Sequence, residues 1–343
     1  MDYSKIRDLL LHPLDDVELV RRVKILSENF TVKREKIGEY VLDEKQVSAY
    51  AGFYLPTNLP KLKFLLDQLP LKVREQISNC HIIDFGTGPG TYALGFCDYF
   101  KKLPEIHLVD QSSIMLDQAK KIFSHMFPSQ EISASSSLGN TKAETLLFFG
   151  NSLNEITLDE LWKILEKVKP KFFAFIEPGT RDFFSKALDI RRGMGQRGYC
   201  CHFPCPSLNY SCPLEKKKED DWCHQVIQVT HDQQLERISQ MAKLDRRTLP
   251  FTAHFYELNG QHETSPTHGR LIRMIKETKF SYIWELCIQD ENLKNIKVEL
   301  LKKGLDKKKI KKLATGVEVS FNVLKNLGDG HYRVEVLNLD SLF

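Results

Sequence analysis

Apolar residues recur at roughly helical spacing over the first 70 positions. Leu9, Leu10, Val17, Leu19, Val20, Val23 and Leu26 share one stripe, and SAYAGFYLPTNLPKLKFLLDQL forms a second segment. Pro56 and Pro60 are expected to break that segment, with Pro60 at the first turn of a short helix. The aromatics Tyr50, Phe53 and Tyr54 read as core. From His81 the pattern becomes short apolar runs separated by helical stretches. HIIDF (81–85), EIHLVD (105–110), TLLFFG (145–150) and KFFAFIEP (171–178) predict strands. Helices are expected over 114–127 and 158–168. That alternation is the βαβ rhythm of a parallel sheet covered by helices. The polar, small-residue run 129–142 reads as a surface loop. Beyond Pro178 a cysteine-bearing segment leads to a helix near 231–244 and β-rich pieces. The last of these, GVEVSFNVLKNLGDGHYRVEVLNL, predicts a hairpin turning at Gly328–Gly330. Three regions follow: a helical segment (1–72), a Rossmann-like domain (73–190) and a mixed, β-rich module (191–343).

Composition adds little to this picture. The 343 residues are 42% hydrophobic and 27% charged, as in a globular protein, and the net charge is only +4. No apolar run approaches the roughly 20 residues that span a bilayer, so no membrane partner is expected. The N-terminal residues carry acids early and resemble neither a secretory signal nor a transit peptide. A bacterial cytoplasm is the expected location, with the mitochondrial matrix second. Cysteines there are thiols or ligands rather than disulfides.

Chemistry enters at DFGTGPG (84–90), which follows a strand and opens a helical run. Glycines allow a sharp turn and close approach of the backbone to a ligand, and a helix N-terminus favours an anionic group. Asp110 ends the second strand, where a carboxylate can accept from both hydroxyls of a ribose. The DxGxGxG spacing favours S-adenosylmethionine over a dinucleotide. The cofactor-side candidates are Asp84, Gly86, Gly88, Gly90, Asp110 and Asn154. Asn154, with Glu155 and Glu177, lies at a strand end, and a turn or capping role competes for it. No general base or nucleophile declares itself. His81 and His107 read as structural, and Cys80 and Cys97 as buried apolar residues.

Four other cysteines stand apart. Cys205, Cys212, Cys223 and Cys287 are separated by 6, 10 and 63 residues, unlike the tight pairs of a zinc ribbon. Proline follows the first two, restricting the loop. Four such thiolates suit a 4Fe-4S cluster or one tetrahedral zinc, with Cys200, Cys201, His202 and His224 as nearby substitutes. Further on, KKGLDKKKIKK places Lys302, Lys303, Lys307, Lys308, Lys309, Lys311 and Lys312 around a single aspartate. Such a block neutralises phosphates and reads backbone rather than sequence. RRGMGQR (191–197), Arg246, Arg247, Arg270 and Arg273 add charge. RNA contact is expected, and DNA contact is not.

Several of these segments together resemble the methyltransferase-like assembly factors of the small ribosomal subunit, known chiefly from mitochondria but with bacterial relatives. The resemblance rests on SAYAGFYLPTNLPKL, DFGTGPG, NSLNEI, FIEPGT, FPCPSLNYSCPL, WCH at 222–224 and ELC ending at Cys287. It implies a Rossmann-like S-adenosylmethionine domain, a 4Fe-4S site with Cys205, Cys212, Cys223 and Cys287 as ligands, and binding to rRNA of the maturing small subunit. The expected fold class is therefore α/β: a Rossmann-like methyltransferase sheet, an N-terminal helical segment and a C-terminal module with a four-cysteine metal site. Two features depart from the family. Ser207 stands where a histidine usually follows the first Cys-Pro in a loop one residue longer here, and Gly316 lies in ATGVEV without the usual preceding tryptophan. The expected function is an rRNA-binding assembly or translation factor. An active rRNA methyltransferase is the alternative, and a radical S-adenosylmethionine enzyme is disfavoured because the CxxxCxxC triplet is missing.

Overall fold

The computed structural model describes residues 3–31, 43–139, 144–206, 208, 211–215, 221–261, 267–288, 295–303 and 305–339. Ser207 lies outside the described residues. The chain divides into two compact units. The first comprises residues 1–177 and 229–247, and the second residues 178–228 and 248–343. The boundary expected from sequence lay near residue 190.

The first unit begins with a helical layer: α1 (Asp16–Thr31), α2 (Glu44–Ala49), α3 (Leu55–Asp67) and α4 (Leu71–Ile77). Asp43 caps α2 by accepting from the Gln46 amide at 2.7 Å. The prolines do not break the second segment as expected. Pro56 falls where a π-helical turn passes into α3, and Pro60 lies inside the helix. A π-helical turn, Tyr50–Tyr54, feeds α3, with the Leu55 amide donating to the Tyr50 carbonyl. Burial of Leu55, Leu59, Leu62, Leu65 and Leu66 holds α3 together across Pro60. Phe53 and Tyr54 pack with Leu19, Val23 and Leu26 of α1, as core aromatics should. Leu235, Ile238 and Ala242 complete that core, contributed by the helix Gln233–Ala242.

Beside this layer lies a parallel sheet: β1 (His81–Phe85), β2 (Ile106–Val109), β3 (Ile132–Ser135), β4 (Thr145–Gly150) and β5 (Phe172–Pro178). The order is β3-β2-β1-β4-β5, every pair parallel. Helices α5 (Thr91–Phe100), α6 (Ser113–Met126) and α7 (Leu158–Val168) alternate with the strands. The Thr157 hydroxyl and Glu160 carboxylate close a reciprocal capping box on α7. This is a Rossmann-like α/β fold of methyltransferase type. The run read as a loop over 129–142 contains β3. Its four residues, ISAS, are small and only half-buried at the sheet edge, so the apolar signal of a strand is weak there. His107 bonds to Ser133 and Ser135 across that edge at 2.8 and 2.7 Å, a structural role. Cys80 and Cys97 are buried.

The second unit opens with α8 (Arg181–Gln196), capped by Thr180. It continues through β6 (Tyr199–Phe203), β7 (Gln225–Gln228) and β8 (Thr248–Leu258), with β8 antiparallel to both. The remaining strands are β9 (His268–Glu277), β10 (Ser281–Ile288), β11 (Ile296–Leu301), β12 (Glu318–Gly328) and β13 (His331–Val336). They close into a barrel in the order β10-β11-β13-β12-β9. Tyr282, Trp284 and Leu286 of β10 and Val298 and Leu300 of β11 alternate into its buried interior, a period-2 pattern. The predicted hairpin is β12–β13, with Gly328 and Gly330 both at positive φ around its turn.

Candidate cofactor loop and cysteine cavity

The glycine loop occupies the carboxyl end of β1. Gly86, Gly88 and Gly90 have φ of 68°, 55° and 83°, a region that L-residues enter only with strain. The amides of Gly86 and Thr87 donate to the Val109 carbonyl at 2.8 and 3.1 Å, fixing the loop against β2. Each glycine has its own reason. A Cβ on Gly86 would lie 2.3 Å from the Ser152 Cβ. One on Gly90 would press on Phe123 at 3.1 Å, whereas one on Gly88 would meet nothing within 4 Å. The space beside Gly88 is open, as a ligand-facing backbone requires.

Two carboxylates border this loop. Asp110 accepts from the Gly88 amide through Oδ2 at 2.8 Å and from the Ser112 amide through Oδ1 at 2.9 Å. Asp84 is buried. Its Oδ2 accepts from the Thr87 hydroxyl at 2.7 Å and the Ala93 amide at 3.2 Å, while Oδ1 has no partner among the described residues. Burial raises the pKa of both groups, that of Asp84 to about 7. The open space at Gly88, bordered by the Asp110 carboxylate, fits a ligand bearing hydroxyl or ammonium donors, so the residues present fit S-adenosylmethionine. Asn154 is exposed on the turn Leu153–Glu155, whose first residue is buried. The structure therefore gathers Asp84, Gly86, Gly88, Gly90 and Asp110, and leaves Asn154 at the surface. Glu177 is fully buried and accepts from the Leu153 amide at 2.7 Å, which anchors that turn.

The cysteines lie in the second unit. Cys205, Cys212, Cys223 and Cys287 all line one cavity of about 50 Å³, with Arg191, His224, His254 and Arg270. Each is held differently. Cys205 follows the cis peptide Phe203–Pro204 and its Sγ accepts from the Arg191 Nε at 3.3 Å. Cys212 opens a turn closed by the Glu215 amide on its carbonyl at 3.0 Å. Cys223 is flanked by Trp222, whose indole donates to the Gly179 carbonyl at 3.1 Å and stacks on His224. Asp221, just before, pairs with Arg273. Cys287 is carried on β10, a strand rather than a loop.

Burial and the neighbouring sulfurs push the thiols of Cys212, to about 11, and of Cys223 and Cys287 well up. The Cys201 thiol and the Arg191 guanidinium instead lower Cys205 to about 6. Buried thiols that resist ionisation alone ionise when a cation sits among them, and the thiolate is the ligand. The donor set thus fits a thiolate-bound metal or cluster. Among the described residues the tightest donor group is different: Cys201, Cys205 and His254, with ligand atoms within 4.8 Å of one another. Of the four expected ligands only Cys205 belongs to it. Cys201 donates to the Phe203 carbonyl at 3.0 Å, and His254 bonds to Tyr256. Burial and the Arg191 charge lower His254 to about 3, keeping it neutral. Sequence reasoning missed Arg191 and His254 as neighbours of this cavity. Arg191, on α8 only 14 residues before Cys205, reads by sequence as part of a basic stretch, and His254 arrives on β8 with no motif of its own.

The lysine run sits where β11 leaves the barrel. Glu277 gathers Lys302, Lys307 and Lys311 at 2.9, 3.1 and 3.4 Å, and Lys303, Lys308, Lys309 and Lys312 are exposed beside them. Several of the arginines expected to extend this charge are engaged by other groups of the protein. Arg191 serves Cys205, Arg246 donates to Asn58 at 2.7 Å, and Arg270 donates to the His202 carbonyl at 3.1 Å. Arg273 is tied to Glu285 and Asp221.

Residues 44–318 match the sequence model of a family described as mitochondrial small ribosomal subunit Rsm22. The chain belongs to this family. No curated protein sequence matches it. Among solved structures, it is similar to an O-methyltransferase family protein from Burkholderia thailandensis, at 14% identity and TM-score 0.39, over 71% of this chain and 72% of that one. It is also similar to magnesium protoporphyrin IX methyltransferase from Synechocystis PCC 6803, at 14% identity and TM-score 0.34, over 55% of this chain and 88% of that one. A SAM dependent methyltransferase from Aquifex aeolicus is 12% identical, TM-score 0.33, over 58% of this chain and 98% of that one. Family membership accounts for a methyltransferase-like fold in a ribosome-related setting. The strand order and glycine loop, not these distant likenesses, carry the fold assignment. No described helix is long and apolar enough to cross a membrane.

Proposed function

We propose that this Rsm22-family chain is an assembly or translation factor that binds rRNA of the small ribosomal subunit. In this reading Cys205, Cys212, Cys223 and Cys287 hold a 4Fe-4S cluster, and the lysines of 302–312 contact phosphate. The observation that carries it is the convergence of those four cysteines on one cavity from α8-proximal loops and a barrel strand. Loops with little regular structure of their own gain a fixed shape from a shared metal centre, since binding free energy becomes folding free energy. Zinc is the competing occupant. S-adenosylmethionine is assigned to the glycine loop, with Asp110 as acceptor for its ribose and Asp84 Oδ1 as a further acceptor. The division into a helical segment, a Rossmann-like domain and a metal-bearing basic module belongs to the same proposal.

Iron, acid-labile sulfide and zinc measured per chain on anaerobically purified protein test the metal. Iron and sulfide near four each support the cluster, and stoichiometric zinc replaces it. Co-sedimentation with small-subunit precursors at low salt tests the partner, and its absence on every precursor counts against the ribosomal reading.

The second reading, an active rRNA methyltransferase, is favoured by the open space at Gly88 beside an intact Asp110. When bound, S-adenosylmethionine supplies an electrophilic methyl group; the chain's part is to hold and orient it. Methyl transfer to small-subunit rRNA that Asp110→Ala abolishes supports this reading. No transfer on any precursor removes it.

A further inference from the structure

The barrel has a connectivity that neither the glycine loop nor the cysteine cavity explains. Counted from β9 as its first strand, first pairs with second and second with third, antiparallel. The third runs parallel to the fifth, the fifth pairs with the fourth, and the fourth returns to the first. The short helix Lys307–Lys311 occupies the connection between third and fourth. A closed barrel of this order is an OB-type Greek-key barrel. Such barrels bind oligonucleotides or oligosaccharides on the face of the second and third strands, between the first and last hairpin loops.

The first hairpin loop carries an unusual side chain. Phe280 is 69% exposed at the β9–β10 turn, although its backbone is firmly held. The Thr278 hydroxyl accepts from the Phe280 and Ser281 amides at 3.2 and 2.9 Å, and the Lys302 amide donates to the Phe280 carbonyl at 2.8 Å. A fixed backbone presenting an aromatic ring to water is a stacking platform in waiting. Its surroundings are cationic. Lys279 Nζ lies 5.2 Å from the ring centroid, Lys302 lies over the Tyr282 ring, and Lys307 and Lys311 converge on the nearby Glu277. The acids on the β10–β11 face are already neutralised. Glu285 pairs with Arg273 at 2.7 Å, and Glu299 with Arg333 at 2.8 Å.

We propose that this end of the barrel binds a single-stranded stretch of RNA, one base stacking on Phe280 and backbone phosphates meeting Lys279, Lys303 and Lys307. A lysine-rich rim selects a polyanion over a neutral sugar. A lone protruding ring requires an unstacked base, which a duplex does not offer. That the strand is RNA rests on the ribosomal reading above; the stacking site itself does not.

The test uses the full chain and a labelled 12-nucleotide single-stranded RNA, compared with the same sequence as a duplex, at two salt concentrations. The single strand is expected to bind more tightly than the duplex. Phe280→Ala should weaken it by roughly fivefold to a hundredfold, while Phe280→Trp retains it. Lys303→Ala should lower the salt slope by about 0.7 without altering base preference. Equal binding of duplex and single strand, or wild-type affinity in Phe280→Ala, overturns the proposal. Because Phe280 is exposed, its variants should melt with the wild type, which excludes misfolding as the cause. Co-sedimentation of the wild type with small-subunit particles but no oligonucleotide binding sinks this site and spares the ribosomal reading. Oligonucleotide binding that depends on Phe280, without co-sedimentation, does the reverse.

Discussion

The Gly88 amide donates to the Asp110 carboxylate at 2.8 Å, so the glycine loop after β1 and the acid after β2 form one rigid piece. Substitution there should separate stability from affinity. Gly86→Ala and Gly88→Ala both force an L-residue into left-handed φ, at about 1–2 kcal/mol each. Gly86→Ala also drives a methyl into Ser152, adding about 1–3 kcal/mol of overpacking. Gly88→Ala adds no clash but places its methyl in the open space beside Asp110. Urea melts should rank Gly86→Ala as the less stable variant. Calorimetry should show Gly88→Ala losing S-adenosylmethionine affinity out of proportion to its stability change.

The buried Asp84 makes a pH prediction. Its folded pKa is raised to about 7, above the roughly 3.9 of an unfolded chain, so the folded state holds the proton more tightly. Its contribution is fully present below about pH 4 and is lost as pH rises through about 7. Asp84→Asn removes that loss. Between pH 4.5 and 8 the urea midpoint of the wild type should therefore fall relative to that of the variant, and parallel curves would show that Asp84 is ionised throughout.

Cys201 and Cys205 decide which donor group is the ligand set. If the four cavity cysteines are the ligands, Cys201→Ser retains iron and sulfide, whereas Cys205→Ser and Cys287→Ser lose them. Loss in Cys201→Ser or His254→Ala, measured by metal content and visible absorbance, would transfer the assignment to the tighter trio. Cys97→Ser, in a buried helix of the other unit, should leave the metal content unchanged.

The helix Gln233–Ala242 belongs to the core of the first unit. Ile238→Ala should cost about 2–5 kcal/mol, as a fully buried aliphatic truncation does. The exposed neighbour Met241→Ala should change stability by less than about 0.5 kcal/mol. Equilibrium urea unfolding followed by circular dichroism distinguishes the two.

These features were unevenly legible in the sequence. The strands β1, β2, β4 and β5 announce themselves because both faces of a parallel sheet are covered, which makes each an unbroken apolar run. β3 does not, since ISAS at the edge buries little. Pro56 and Pro60 mislead because local propensity yields to the leucines that α3 buries. The four cysteines are conspicuous by residue type, yet nothing local to Arg191 or His254 says that they end beside Cys205. Of the five barrel strands, β12 and β13 read as a hairpin and β10 as a β-rich piece, while β9 and β11 carry no comparable signal. Their closure depends on pairings between residues as distant as Val319 and Gly269, which no window of sequence contains.

Residues 229–247 complete the first unit, so that unit cannot close until the chain has been synthesised through Arg247. Cys205, Cys212 and Cys223 have left the peptidyl-transferase centre by then, and Cys287 follows only after β8 and β9. At ordinary elongation rates the fourth thiol trails the third by on the order of several seconds. If the four cysteines hold a metal centre as proposed, its loading is a late event in the birth of each molecule, and a nascent chain stalled before Cys287 presents only three of the four thiols.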